Sequence, residues 1–432
     1  MRICIFEDRR TADLEPLTLT RPASDLLCGL DSLAAKQERY FAAEVVGYLC
    51  RPLLADVLRE RDTASPANDP AWLRTAPTVL VNSRWLPPAP AGLRLAPGTR
   101  RLFASGPSIG TCGDELAFAV LDPRRLQTIA PSTVEDALQD MRQALPSREV
   151  GGRMVSRPWD LIALNAEQLE ADFAALSRDA EIGLHPAAIT LAGPVDRLFV
   201  HPSAKIEPMV MVDATKGPVW IGADAIIKAF TRLEGPCAIG AGTHLMGANI
   251  RAGTTLGPQC RIGGEVECTI VQGFANKYHE GFLGHSYLGE WVNLAAGTTT
   301  GDLRFDYQPI SVKIGCNSVP TGCQKLGSII GDHVRTGLSV LLDCGTTIGA
   351  FASLMPTGQF APREVASFAR IGPKGLSERV ELSAVLKGSE AAMQRRGREL
   401  TPALEKLYCA IAGPETAKIL PLNPLEELRK SA

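Results

Sequence analysis

Nothing in this 432-residue chain approaches the ~20 consecutive apolar residues that a membrane-spanning helix needs, which excludes a helical membrane protein. The opening MRICIFEDRR offers only Ile3–Phe6 as an apolar run. That is too short for the core of a secretory signal and reads as a first β-strand. An excess of charge is missing too: 45 Lys and Arg stand against 47 Asp and Glu, for a net charge of -2. No broad basic surface follows, so no nucleic-acid partner is expected. The 11 cysteines are odd in number and include no Cys-x-x-Cys pair. Cys316 and Cys323 are seven apart, without a second pair at zinc-site spacing. Free thiols in a reducing cytoplasm are the expectation, most of them small buried hydrophobes.

What is present suits a well-cored protein, with 45% hydrophobic and 21% charged residues. The length implies two or three domains at roughly 150 residues each. Residues 1 to about 175 read as mixed α/β. Strands are expected at Ile3–Phe6 and Thr78–Asn82, a helix over Leu30–Tyr40, and an amphipathic helix over Ser132–Leu145 with Ser132 and Glu135 in capping-box spacing. Alternating strands and helices predict a largely parallel sheet covered by helices, and Ala64–Pro70 and Pro87–Pro97 read as surface loops.

After Ala180 the pattern changes to a period of six. Ile221, Ile227, Leu233, Ile239 and Leu245 are six apart; Ile250, Leu256, Ile262 and Cys268 repeat the interval after a slip of one. Phe282, Leu288 and Leu294 follow, then Ile330, Thr336, Leu342, Ile348 and Leu354. A helix needs a period near 3.6, so this spacing fits poorly with one. It predicts a triangular solenoid whose aliphatic residues point inward, with a following glycine (Ile221-Gly222, Ile239-Gly240, Leu256-Gly257) turning the corner. The polar stretch from Thr300 to Ser328 interrupts the repeat and reads as a functional or mobile loop. From Ser377 to about Gly413 the pattern is again helical, as expected of helices that cap or flank the solenoid end. The expected divisions are 1–175, 182–372 and 373–432.

Inside the repeats lies KYHEGFLGHSYLGEWVNLAAGT, Lys277 to Thr298. It resembles the acetyltransferase domain of the GlmU-type bifunctional glucosamine-1-phosphate acetyltransferase/N-acetylglucosamine-1-phosphate uridyltransferases, and the resemblance extends over roughly residues 215–355. The segments PLTLTRPASDLLCG and PWDLIALNAEQL look like those of the GlmU-like relatives with a short N-terminal domain. The resemblance implies a nucleotidyltransferase-like (Rossmann-like) α/β domain, a left-handed parallel β-helix and C-terminal helices. It also implies acetyl-CoA or another acyl-CoA, a sugar phosphate or nucleotide sugar as substrate, Mg²⁺ in the N-terminal domain, a homotrimer and a cytoplasmic location. On the matched motif, His279 stands as the general base and His285 as its rival. Asn293 orients the sugar, Ala296 borders the cofactor, and backbone N–H groups of Asn293–Gly297 stabilise the oxyanion. Lys277, Phe282 and Tyr287 join the binding residues.

The sequence also departs from the family pattern. The Gly-rich phosphate loop is absent; FEDRRTADLEPLTLTRP follows the first strand, leaving Arg9, Arg10 and Arg21 as substitutes for holding phosphates. The metal-binding Asp after the central strand is replaced within VLVNSRWLP, where Asn82 and Arg84 stand, and Asn165 matches the second metal ligand. Glu267 falls where a sugar-phosphate-binding Lys is expected, and Asp302-Leu303 where an Asn-Tyr pair is expected. The leading expectation is acyl transfer in the β-helix beside a degenerate nucleotidyltransferase domain. Three others stay open: an active bifunctional enzyme, a non-catalytic nucleotide-sugar-binding scaffold, and a zinc enzyme of the β-helix carbonic anhydrase type built on His244, His279 and His285.

Overall fold

The computed structural model describes residues 1–88, 106–177, 189–315, 317–356, 358–373 and 377–413. Cys316 and most of the Pro87–Pro97 segment lie outside them. The chain divides into two units, residues 1–181 with 401–407 and residues 182–400 with 408–432.

The first unit is built on a six-stranded sheet in the order Val45–Leu49, Arg2–Phe6, Thr78–Asn82, Glu115–Leu121, Ser108–Cys112, Ser147–Glu149. The first three strands are parallel, and Thr78–Asn82 meets Glu115–Leu121 antiparallel. Thr78–Asn82 is buried at every position, as a central strand covered on both faces must be. The Leu33–Phe41 helix starts where Ser32 caps it by accepting from the Ala35 N–H. The expected capping box on Ser132 is not formed. The helix spans Val134–Ala144 with Thr133 at its N-cap, and the Glu135 carboxylate accepts from the Arg9 N–H instead.

The second unit is a β-solenoid, with parallel ladders along three faces. The first face is a nine-stranded ladder from Leu198–Val200 to Glu364–Val365. The second carries Ile226–Ile227, the start of His244–Ile250, the start of Arg261–Glu267, and Asn276–Lys277, continuing through bridges Asn276–Asn293–Arg335. The third carries Arg232–Glu234, the ends of those two long strands, and Phe282–Gly284. The predicted hexad residues Ile221, Ile227, Leu233, Ile239 and Leu245 all have zero exposure and share one core.

Two members of the later series differ from expectation. Cys268 and Phe282 are not inward; Val266 and Leu283 take the core positions. Some faces here step by four or five residues, so a strict six lands on the wrong side of the strand. One inward position carries a charge: Lys277 pairs in register with Ile262. The glycines also have a different reason. Gly240 and Gly257 are not the positive-φ residues; Asp224, Gln259, Phe274 and Trp291 turn corners in the left-handed region. Gly257 is there for close stacking, since a Cβ on it would lie 2.1 Å from the Gln272 carbonyl oxygen of the next coil.

Between Thr299–Thr300 and Ser328–Ile330 the chain leaves the solenoid, forms an antiparallel hairpin from Ser311–Ile314 and Asn317–Pro320, and returns. The first-face ladder continues across the gap, with Tyr287 opposite Ile329 and Leu288 opposite Ile330. Helices Leu382–Gln394 and Pro402–Ala412 follow the last coil. Among the described residues no helix is long and apolar enough to cross a membrane.

Candidate functional site

The solenoid edge between the third and first faces carries Cys268 and His285 on consecutive coils, both with left-handed φ, 46° and 45°. Asp302 follows on the next coil. The His285 Nδ1 lies 2.7 Å from the Asp302 carboxylate, with both side chains mostly buried. Burial works against charge on His285, but the hydrogen bond it donates to the Asp302 carboxylate, with Cys268 nearby, outweighs it and raises the imidazole to about 9. Burial likewise opposes ionisation of Asp302, and the His285 hydrogen bond and charge bring its carboxyl below the usual range. Phe282 lies alongside: a Cβ on Gly284 would meet both its ring and the Asp302 carboxylate. Gly284 has no room for a side chain there. Glu267, on the preceding coil, is engaged by Arg251 at 2.9 Å.

The remaining expected residues do not converge on this edge. His279 is exposed at the edge between the second and third faces, edge-on to Tyr278 at 5.7 Å. Ala296 is half-buried at that same edge, where its carbonyl accepts from Ser339. Asn293 lies on the second face and accepts from Asn276 at 2.7 Å. Lys277 and Tyr287 are turned away from any ligand. Lys277 is 2% exposed, its ammonium donating to the carbonyls of Gly263 and His279. Tyr287 is fully buried and donates to Gln272. The proposed oxyanion donors are largely committed: the N–H groups of Asn293, Leu294, Ala295 and Gly297 bond neighbouring coils. His244 on the second face, His279 and His285 occupy three different places around the coil, and no cluster of three metal-ligating side chains occurs among the described residues.

In the first unit a cavity of about 200 Å³ opens at the carboxyl ends of Arg2–Phe6 and Thr78–Asn82, lined by Asp8, Arg10, Asn82, Arg84, Glu115 and Glu135 among others. In open α/β sheets this end of the strands is where ligands sit. Its floor is a closed ion-pair network. Arg84 is 1% exposed and donates to both Asp8 oxygens and, at 2.5 Å, to Glu115. Burial would raise the Asp8 carboxyl, but the Arg84 guanidinium holds it below its ordinary value. The Asn82 side chain is spent on Asp8 and on the Arg84 N–H. A guanidinium occupying this position does not fit a divalent cation. Asn165 is fully buried and accepts from the Gly29 N–H, a hairpin-holding role. Arg21 is buried, and its carbonyl accepts from Arg51. Arg9 pairs with Asp136, and Arg10 with Asp13 and Glu115.

The triple at the solenoid edge had a sequence signal. One coil here is 17 residues, as the registers Glu265–Phe282 and Ile270–Tyr287 show. Cys268, His285 and Asp302 are 17 apart in the sequence. A six-residue period alone does not reveal that alignment, because individual faces vary in length.

Residues 3–181 match the family model described as sugar nucleotidyl transferase. A bifunctional sugar-1-phosphate nucleotidylyltransferase/acetyltransferase of Sulfurisphaera tokodaii is 38% identical over 154 residues, 35% of this chain and 38% of the relative. The chain thus spans well under half of that protein's length. A putative uncharacterized acetyltransferase, YaiX of Escherichia coli K12, is 32% identical over 172 residues, covering 37% of this chain and 75% of YaiX. The bifunctional protein GlmU of Methanococcus aeolicus is 34% identical over 105 residues, 24% of this chain and 25% of that protein. With an α/β sheet in one unit and a β-solenoid in the other, the chain belongs to the GlmU-like family of sugar nucleotidyltransferase/acetyltransferase proteins.

Proposed function

We propose that the solenoid transfers an acyl group, most simply acetyl, from an acyl-CoA to an amino or hydroxyl group of a sugar phosphate or nucleotide sugar, with His285 as the general base. The observation that carries this reading is the 2.7 Å contact between His285 Nδ1 and Asp302. A carboxylate on Nδ1 fixes the ring and its tautomer and leaves Nε2 for the acceptor's proton. His279, the first choice on the motif, has an exposed side chain and no such orienting carboxylate among its described contacts. Phe282, beside the dyad, walls the acceptor, and Glu267 and Arg251 line its approach. In the first unit Arg84 is buried in ion pairs with Asp8 and Glu115, which supports a domain that binds nucleotides without transferring them.

The working assembly is proposed to be a homotrimer with the acyl-CoA between neighbouring solenoids. Exposed Leu338 and Phe360, together with the fully exposed Phe305, are apolar surface for a second copy.

The test is acetyl transfer from acetyl-CoA to amino-sugar phosphates, with glucosamine 1-phosphate first. His285→Ala is expected to lower turnover by about 10²–10⁴-fold in a protein that still folds, with a melting temperature lowered by the loss of the Asp302 pair. Full activity in that variant, with loss in His279→Ala, moves the base to His279. Light scattering that finds a stable monomer at micromolar concentration removes the trimer.

A further inference from the structure

The outward column of the second face becomes cationic part-way along the stack. Ile226, His244 and Arg261 follow one another in register on consecutive coils, with Asn276 next. The Arg261 guanidinium is fixed from one side, where Nη1 donates to the carbonyls of Gly242, Gln259 and Cys260 at 2.9, 3.2 and 2.8 Å. All three bonds use Nη1, so Nε and Nη2 remain for another acceptor. The helix Leu382–Gln394 lies against this face: its Gly388 carbonyl accepts from Arg335 at 2.6 Å. Past the helix end, the Arg398 guanidinium lies over the Phe274 ring at 5.7 Å. Phe274 is the edge residue one coil beyond Gln259, whose carbonyl holds Arg261. The turn Arg395–Arg398 therefore sets Arg396 beside the stretch of coil that carries Arg261. Arg396 is partly buried, and its Nε is sealed from solvent without a hydrogen-bond partner. A helix carboxyl end favours a cation nearby, but that does not account for burying an unmet donor. Burial, and then the neighbouring charges, lower the proton affinity of all three groups: Arg261, Arg396 and Lys228 act on His244, Arg396 on Arg261, and Arg395 on Arg396. No carboxylate is among the groups acting on them. Lys228 donates to Glu207 at 2.6 Å. Three cations are thus held together at a cost, on a different face of the coil from the His285–Asp302 pair, and a bound anion would relieve it.

We propose that His244, Arg261 and Arg396 form a binding site for a phosphate group, separate from the His285–Asp302 edge. Guanidinium forks meet the oxygens of a phosphate in pairs, and the imidazole adds a donor from a third direction that a planar carboxylate would leave unused. The site does not depend on the acyl-transfer reading. Two bearers of a phosphate satisfy it: coenzyme A, through its nucleotide end, and a phosphorylated sugar or nucleotide bound away from the dyad.

The experiment titrates full-length protein with sulfate, which stays a dianion across the working pH range, against chloride at matched ionic strength. Melting temperature and calorimetric binding are read together. Expected is a saturable rise in melting temperature with sulfate that chloride does not give. Affinity should tighten as pH falls from about 7 to about 5, because the bound dianion holds a proton on His244, and His244→Gln should flatten that dependence. Arg396→Gln should weaken binding about tenfold or more. Arg396→Glu should abolish it, yet melt no lower than wild type without sulfate, since the new carboxylate pairs with Arg261. Arg261→Gln also drops the three carbonyl bonds, so the Arg396 variants carry the test if it does not fold. Arg370→Gln, at an exposed position of the same face several coils away, should bind as wild type does. Coenzyme A, dephospho-coenzyme A and UDP-N-acetylglucosamine are then titrated against wild type and Arg396→Glu. A loss confined to coenzyme A assigns the phosphate to the cofactor, and a loss confined to the nucleotide sugar assigns it to a second ligand; either supports the site. Sulfate that acts no differently from chloride, or sulfate and all three nucleotides binding Arg396→Glu as tightly as wild type, overturns it.

Discussion

Replacing Lys277 by methionine should stabilise the protein, although it removes two hydrogen bonds. Lys277 occupies an inward position of a coil whose neighbours in the stack are Ile262 and Leu294. Burial pushes its ammonium down from 10.5 to about 8, against the pull of Glu280 and Glu265. That displacement corresponds to about 3 kcal/mol held against the charged form at neutral pH. Methionine keeps the length of the side chain and drops the charge. The lost bonds to the Gly263 and His279 carbonyls return part of the gain, so a net stabilisation of about 1–2 kcal/mol is expected. For a unit of this size that is a rise of about 2–8 °C in melting temperature. The pH dependence gives the sharper check. Between about 8 and 10.5 the unfolded chain keeps a proton on Lys277 that the folded chain has released. Wild-type stability therefore rises with pH across that window relative to the variant, and the gap between the two melting temperatures closes. Calorimetry from pH 7 to 10 reads this directly. A Lys277→Met protein that melts below wild type at pH 7, or a gap that stays constant with pH, refutes the reasoning and makes the buried ammonium a net stabiliser.

Three further outcomes are expected. Arg84→Ala strands Asp8 and Glu115 around the first-unit cavity and should destabilise by about 3–5 kcal/mol in urea unfolding, with Asp8→Asn in the same background recovering part of the loss. Gly257→Ala drives a Cβ toward the Gln272 carbonyl at 2.1 Å, so the coil must open; a loss of about 2 kcal/mol or more is expected, and an unchanged melting temperature would mean the coils separate freely. The acyl-transfer rate should climb with pH and level off near 9, because a base must be neutral and His285 holds its proton up to about that value. The same raised value adds stability that is present below about 6.5 and lost as pH passes through 9, so a wild-type melting temperature that rises relative to that of His285→Ala across that range would contradict the His285–Asp302 contact.

The sequence made the solenoid legible because burial repeats: Ile221 through Leu245 are inward at every sixth position, and each coil repeats the signal of the last. It misplaced Cys268 and Phe282 because the face lengths vary between four and six residues, and a single short face shifts a side chain from inside to edge. The α/β domain was legible through Thr78–Asn82, whose apolar run has no amphipathic face to confuse it. Lys277 illustrates the opposite difficulty. A lysine in a motif invites a ligand-binding role, and only the register with Ile262 reveals that its side chain runs into the interior. The site was half legible for the same reason. Motif spacing named His279, His285 and Asp302, but the choice among them depends on which residues stack, a property of coil length rather than of local sequence.

The hairpin-bearing segment from Leu303 to Gly327 leaves and rejoins the solenoid beside the dyad. Asp302 is the last residue before it departs; on its return the Leu326 N–H donates to the Asp302 carbonyl and the Gly327 N–H to that of His285. The neck is therefore fixed by the residues proposed to do the chemistry, while the first-face ladder runs on beneath it without a break in register. Lengthening such an insertion is thermodynamically inexpensive, about 0.6 kcal/mol for each doubling of loop length. The insertion can thus vary without moving the imidazole or its carboxylate, and on the reading proposed above it is the part that would face an acceptor. The reactive apparatus and the reading surface become separable traits, and a hairpin transplanted between relatives at residues 303 and 327 should carry acceptor preference with it.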